Sequence, residues 1–126
     1  MFTIGKLDRS IYRCISQNII TDEVVITEKQ IEHIKERHPN DFERFEMYFK
    51  EIVEQPDYII ESPKPKTALV LKEVLIDNNE VFKMVIRLAT SEDNPTYKNS
   101  IITFMKIDDK EWNRLLRNKK ILYKRT

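Results

Sequence analysis

Two histidines, His33 and His38, are the side chains of this 126-residue chain whose ordinary pKa lies close to neutrality. They stand five residues apart in a helix-like segment, about 140° apart around the axis. That is poor geometry for two ligands of one metal ion, and no His-Glu-x-x-His is present. No metal site and no cofactor are expected from them. Proton transfer is the chemistry left. His38 precedes Pro39, which disfavours helix at the residue before it, so its imidazole is expected at a helix C-terminus, where the dipole favours the protonated form. His33 shares a helix face with Arg37. The bland role for either is to cap the helix or cover the core.

Cations and hydroxyls come from the second half of the chain. Splitting an RNA phosphodiester without a metal needs a group to handle the protons of the 2′-hydroxyl and the 5′-oxygen. It also needs positive charge to offset the charge that builds on phosphorus. The two-residue strand period puts Phe82, Met84, Ile86 and Leu88 on one side and Val81, Lys83, Val85, Arg87 and Ala89 on the other. The first set is a core face, and the second offers Lys83 and Arg87. In Asn99–Ile107 the same period groups Asn99, Ile101, Thr103 and Met105, which brings Thr103 beside Arg87 if the strands are neighbours. Thr90 adds a hydroxyl, and Lys64, Lys66 and Thr67 form a basic stretch stiffened by prolines. Tyr58, Tyr97, Trp112 and Tyr123 can stack on bases, and Tyr123 is followed by Lys124 and Arg125. Leu69, Leu71 and Leu75 alternate with Val70, Lys72 and Val74, so the period leaves the facing of Lys72 open.

The elements that must hold these residues follow from capping and periodicity. Short strands are expected at Phe2–Ile4, Ile11–Ile15 and Val24–Ile26. Thr27-Glu28-Lys29-Gln30 is a capping box, and the helix it opens ends before Pro39. A second helix, capped at Asn40 or Asp41 and stopped by Pro56, carries the stripe Phe42, Phe45, Phe49, Ile52 and Val53. Strands then follow at Asp57–Glu61, Thr67–Ile76, Glu80–Ala89 and Asn99–Ile107, with Asp77-Asn78-Asn79 as a turn. Asp108 caps a last helix, with Glu111 three residues on, and Ile121–Lys124 closes the chain as an edge strand. This order predicts an α+β fold: N-terminal helices packed on one face of a curved antiparallel sheet of about four strands, then a C-terminal helix and a short last strand. No repeat or linker divides residues 1–126, so a single domain is expected.

The net charge of +1 is an average over unequal parts. Residues 21–62 carry five basic and twelve acidic side chains, and residues 63–126 carry fourteen basic and eight acidic. A basic half of this kind can attract a polyanion although the total is near zero. The single glycine, Gly5, excludes Gly-rich phosphate loops and nucleophile elbows. The single cysteine, Cys14, excludes an internal disulfide and thiolate zinc clusters, and suits a reducing compartment. No run approaches the roughly 18 apolar residues of a membrane helix. Lys6, Asp8 and Arg9 interrupt any signal-peptide core, so a cytoplasmic protein without a membrane partner is expected.

The segments ITEKQIEHIKERHP (residues 26–39) and FKEIVEQPDYII (49–60) resemble the Barnase–EndoU–Colicin–RelE-like (BECR) nuclease-fold domains, in particular their phage-associated branch. KTALVLKEV, VFKMVIRLAT, SIITFMKID and ILYKR match that branch's run of strands and its last basic segment. The resemblance spans most of residues 26–125, with residues 1–25 as an N-terminal extension. It implies a helical part against a curved sheet and metal-independent endoribonuclease activity, with toxin-like roles on phages and mobile elements. RNA, tRNA among its forms, is then the expected substrate, and an immunity or antitoxin protein a candidate partner. The resemblance makes His38 the helix histidine and Arg87 and Thr103 the basic and hydroxyl positions on the sheet. His33, Lys72 and Thr90 are weaker carry-overs. Lys66, Lys83, Tyr123 and Lys124 complete the set of candidate RNA contacts. Two other readings use the same features: a non-catalytic RNA-binding domain, and a protein-interaction domain whose acidic helices bind a partner.

Overall fold

A computed structural model describes residues 1–76 and 78–126. Asp77, the first residue of the expected turn, lies outside the described residues. In chain order the elements are β1 (Phe2–Lys6), α1 (Arg9–Tyr12), β2 (Glu23–Ile26), α2 (Glu28–Arg37), α3 (Asp41–Phe45), a 3-10 turn (Glu46–Tyr48), α4 (Phe49–Glu54), β3 (Tyr58–Ile60), β4 (Thr67–Val74), β5 (Glu80–Arg87), β6 (Asn99–Ile107), α5 (Asp109–Asn118) and β7 (Ile121–Lys124). The strands form one sheet in the order β1-β2-β6-β5-β4-β3-β7. Among the described residues the sheet therefore has seven strands rather than about four. The N-terminal strands join it through β2, which lies parallel to β6, whereas every other neighbouring pair is antiparallel.

One face of the sheet is covered by α2, α3 and α4. Ile34, Phe45, Phe49, Ile52 and Val53 from these helices close over Phe82, Met84, Ile86 and Phe104. The rings of Phe49 and Phe104 are 4.4 Å apart, and those of Phe45 and Phe82 4.8 Å. The expected second helix is broken: its phenylalanine stripe is buried as anticipated, but a 3-10 turn at Glu46–Tyr48 divides it. Ile11–Ile15 is not a strand. Asp8 accepts from the Ser10 amide at 2.9 Å and starts a helical turn, which seats Tyr12 in the core with its hydroxyl donating to the Val53 carbonyl at 2.8 Å. Gly5 serves close approach rather than an unusual backbone angle, since a Cβ there would come within 2.9 Å of the Glu54 carboxylate.

The second correction concerns the other face. α5 packs on it, against Ile60, Leu71, Val81 and Ile107, so helices cover both sides of the sheet. α5 covers only one end. The other end of that face, around Val85 and Arg87, stays open and is where the candidate site lies.

α2 begins as its sequence predicts. The Gln30 amide donates to Thr27 Oγ1 at 3.2 Å and the Thr27 amide to Gln30 Oε1 at 3.3 Å. Thr27→Ala removes half of this box and is expected to lower stability by about 1 kcal/mol, measured by urea unfolding. The box also fixes the site, because Gln30 Oε1 accepts from Ser100 Oγ at 2.9 Å and ties α2 alongside β6.

Candidate nucleic-acid-cleaving site

β4, β5 and β6 supply the floor. Thr67 pairs with Arg87, Leu69 with Val85, and Val85 with Thr103. The strict alternation expected along β6 fails at Ile102, where a bulge lies opposite the Val85/Ile86 step. The extra residue lets Ile101 and Phe104 both face the helical core. Ile102 and Thr103 turn together to the open side. There a cleft of about 650 Å3 is lined by Pro63, Lys64, Pro65, Thr67, Leu69, Val85, Arg87, Ile102 and Thr103. Arg87 and Thr103 thus share one cleft, but not through the expected alternation: Arg87 pairs with Ser100, Ile101 faces the core, and the bulge turns Thr103 outward opposite Val85.

Arg87 is held from one side. Its Nη2 donates to Asp93 Oδ1 at 2.9 Å and its Nη1 to Asp93 Oδ2 at 3.2 Å, and Nη1 also donates to the Leu88 carbonyl. Asp93 is itself fixed by the Thr90 amide, 2.8 Å from Oδ2, and by the Thr90 hydroxyl at 3.2 Å. The Arg87 guanidinium and the Thr90 amide hold the Asp93 carboxyl far below the usual carboxylate range. Among the described residues, Arg87 Nε and the second Nη2 hydrogen have no protein acceptor, and about a third of the side chain is exposed. One edge of the guanidinium is therefore free in a form that suits a phosphate bidentately. Thr90 is buried as part of this bracket. Lys66 stands at the same end of the sheet: its carbonyl accepts from the Leu88 amide at 2.8 Å and its Nζ lies 3.6 Å from Glu92.

His38 is the C-cap of α2, its amide donating to the Ile34 carbonyl at 2.8 Å. It does not line the Arg87 cleft. Burial lowers its pKa, Asp41 opposes that shift, and the charges of Lys83 and Arg37 add to it. Lys83 lies on the open side of β5, four residues from Arg87 or about 13 Å along the strand. Lys83 thus stands towards one end of this side of β5, and Arg87, with Lys66, at the other. His33 is exposed, and helical spacing puts it on the stripe of Gln30, the residue that touches Ser100.

The remaining candidates fall elsewhere. Lys72 points to the helix-covered side, almost fully buried, with Nζ 3.4 Å from Asp57 and 3.9 Å from Glu51. Tyr123 packs against the main core, and Lys124 pairs with Tyr58 at the far edge of the sheet. Asp93 and Gln30 were not among the candidates from sequence. The signal for Asp93 was present as an acid three residues after Thr90, the reach-back half of a capping box. Among the described residues no three His, Cys, Asp or Glu side chains gather as a metal site, and no helix is long and apolar enough to cross a membrane.

A family model described as phage-Barnase-EndoU-ColicinE5/D-RelE like nuclease2 matches residues 3–124. No curated protein and no solved structure matches the chain.

Proposed function

Because the chain belongs to this phage-associated, nuclease-like family, we propose that it is a metal-independent endoribonuclease that cleaves RNA by attack of a 2′-hydroxyl on the adjacent phosphorus. The observation that carries the proposal is the open cleft that Arg87, with one free guanidinium edge, and Thr103 both line. In this reading Arg87 and Thr103 hold the non-bridging phosphate oxygens and offset the charge that grows on them as the 2′-oxygen approaches. Lys66 and Lys83 draw in the neighbouring phosphates, Thr90 backs the Arg87 bracket, and His33 contacts the strand from α2. His38 is assigned the 2′-hydroxyl proton, which requires the ribose next to the bound phosphate to extend out of the cleft to the end of α2. The bond to the 5′-oxygen breaks, the 5′-oxygen gains a proton, and the products are a 2′,3′-cyclic phosphate and a 5′-hydroxyl. A toxin-like role on a phage or mobile element, with a cognate immunity protein and tRNA among the substrates, belongs to the same proposal.

The lowered pKa of His38 suits the part. A base must be neutral to accept a proton, and desolvation favours the neutral form of this imidazole against the charge of Asp41, with Lys83 adding to it. The rate is expected to rise with pH through an inflection below the ordinary histidine value of about 6.5 and to level off above it. His38→Ala abolishes that inflection and His33→Ala leaves it in place. The test is the pH profile of RNA cleavage by the pure protein in excess EDTA. Absence of cleavage overturns the proposal, and an inflection that survives in His38→Ala overturns the assignment of the base.

A further inference from the structure

We infer that Asp93 is a positioning residue, which holds Arg87 so that the Nε/Nη2 edge of its guanidinium, and not its Nη1/Nη2 edge, meets the phosphate. This rests on the proposed role of Arg87 at the scissile phosphate and adds a residue and an orientation to it. The geometry is specific. Both Asp93 oxygens accept from the two terminal nitrogens, at 2.9 and 3.2 Å, which occupies the end of the guanidinium. Oδ2 also accepts the Thr90 amide and hydroxyl, so the carboxylate cannot swing away with the arginine. Thr90 is in turn anchored by its bridge to Ile19, outside the cleft. The second Nη1 hydrogen is taken by the Leu88 carbonyl. Three acceptors therefore fix the plane of the guanidinium, and what remains is one pair of parallel N–H groups.

A carboxylate beside a phosphate-binding arginine has two opposite consequences, which can be separated. As a mask it would compete with the anion, and its removal would strengthen RNA binding and cleavage. As a bracket it keeps the arginine in the one orientation that serves the transition state, and its removal would lower kcat while leaving ground-state binding near its original value. The free second edge and the independent anchoring of Asp93 favour the bracket.

The experiment compares wild type, Asp93→Ala and Asp93→Asn by the NMR signals of the Arg87 guanidinium during titration with inorganic phosphate, and by RNA cleavage kinetics. Wild type is expected to show slowed rotation of the Arg87 Nη groups and a phosphate-dependent shift at Nε. Asp93→Ala is expected to lose the slowed rotation, to spread the phosphate-dependent shift from Nε over all three guanidinium nitrogens at similar phosphate affinity, and to lower kcat by about tenfold or more, with KM changed by less than about threefold. Asp93→Asn retains an oxygen for the Thr90 amide and falls between the two, which keeps the test open should the alanine variant not fold. Faster cleavage or tighter phosphate binding in Asp93→Ala overturns the inference, as does an unchanged Arg87 signal. If wild type cleaves no RNA but its phosphate shift depends on Asp93, the bracket stands and the ribonuclease proposal fails.

Discussion

Arg87→Ala is expected to lower kcat for RNA cleavage by about 10²–10³-fold, or about 3–4 kcal/mol of transition-state stabilisation. The size follows from what the residue does. Its charge is already desolvated on one side by Asp93, Leu88 and the strand floor, so in the proposed reaction it needs no reorganisation to meet a phosphate. Replacement by lysine is expected to recover only a small part. An ammonium keeps the charge but has no parallel N–H pair, and it cannot fill the end-on contact with Asp93 at the same time. Thermal stability should fall in Arg87→Ala, because Asp93 loses its counter-charge, but the fold should persist, because Asp93 retains the Thr90 amide and hydroxyl. Steady-state kinetics on a defined oligonucleotide, read beside the melting curve, checks both halves. A loss of activity that tracked a loss of folding would contradict the assignment.

Asp57→Ala is expected to be the most destabilising single polar substitution, by about 3 kcal/mol. For a domain of this size that is a fall in Tm of roughly 10 °C. Lys72 reaches into the helix-covered side at 3% exposure, with Asp57 Oδ1 at 3.4 Å as its nearer counter-charge and Glu51 at 3.9 Å. Asp57 also accepts the Glu73 amide at 2.8 Å and lies 3.6 Å from Arg125, so it joins β3, β4 and the C-terminus. Its removal leaves a buried ammonium with one partly exposed partner. The charge, not the shape, carries the effect: the double variant Asp57→Asn, Lys72→Met is expected to regain most of the loss, since an apolar side chain of similar length needs no counter-ion there. Differential scanning calorimetry of the single and double variants tests this. A double variant no more stable than Asp57→Ala would contradict it.

Both predictions depend on facing, and facing was only partly legible in the sequence. β5 could be read because its alternation is unbroken: Phe82, Met84 and Ile86 point inward and Lys83 and Arg87 outward. The capping residues Thr27 and Asp108 were equally legible, because a side chain that accepts an amide three residues on is a local device. β6 was harder. Its bulge at Ile102 depends on the partner strand and leaves no local mark, yet it turns both Ile102 and Thr103 towards the cleft. Lys72 lies in a strand apolar on both sides, because β4 is covered by helices on one face and borders α5 on the other. No period can resolve that case. The Asp8 turn was missed for a related reason: Ile11, Tyr12 and Ile15 have strand-like side chains, and the competing cap outweighs them. The pairing of Arg87 with Asp93 joins a strand to a loop, and the parallel contact of β2 with β6 joins residues more than seventy positions apart. Such contacts are set by the fold as a whole.

Under the proposed function, this open sheet face carries out a transesterification on RNA. The most direct measurement is the chemistry of the ends made by the pure protein from a single-stranded RNA in excess EDTA, with the same RNA bearing a 2′-deoxy sugar at the cut position as control. The expected products are 2′,3′-cyclic phosphate and 5′-hydroxyl ends, with no cut at the deoxy position and loss of both in Arg87→Ala. Ends carrying a 5′-phosphate, cleavage that persists at the deoxy sugar, or equal cleavage by Arg87→Ala would contradict it.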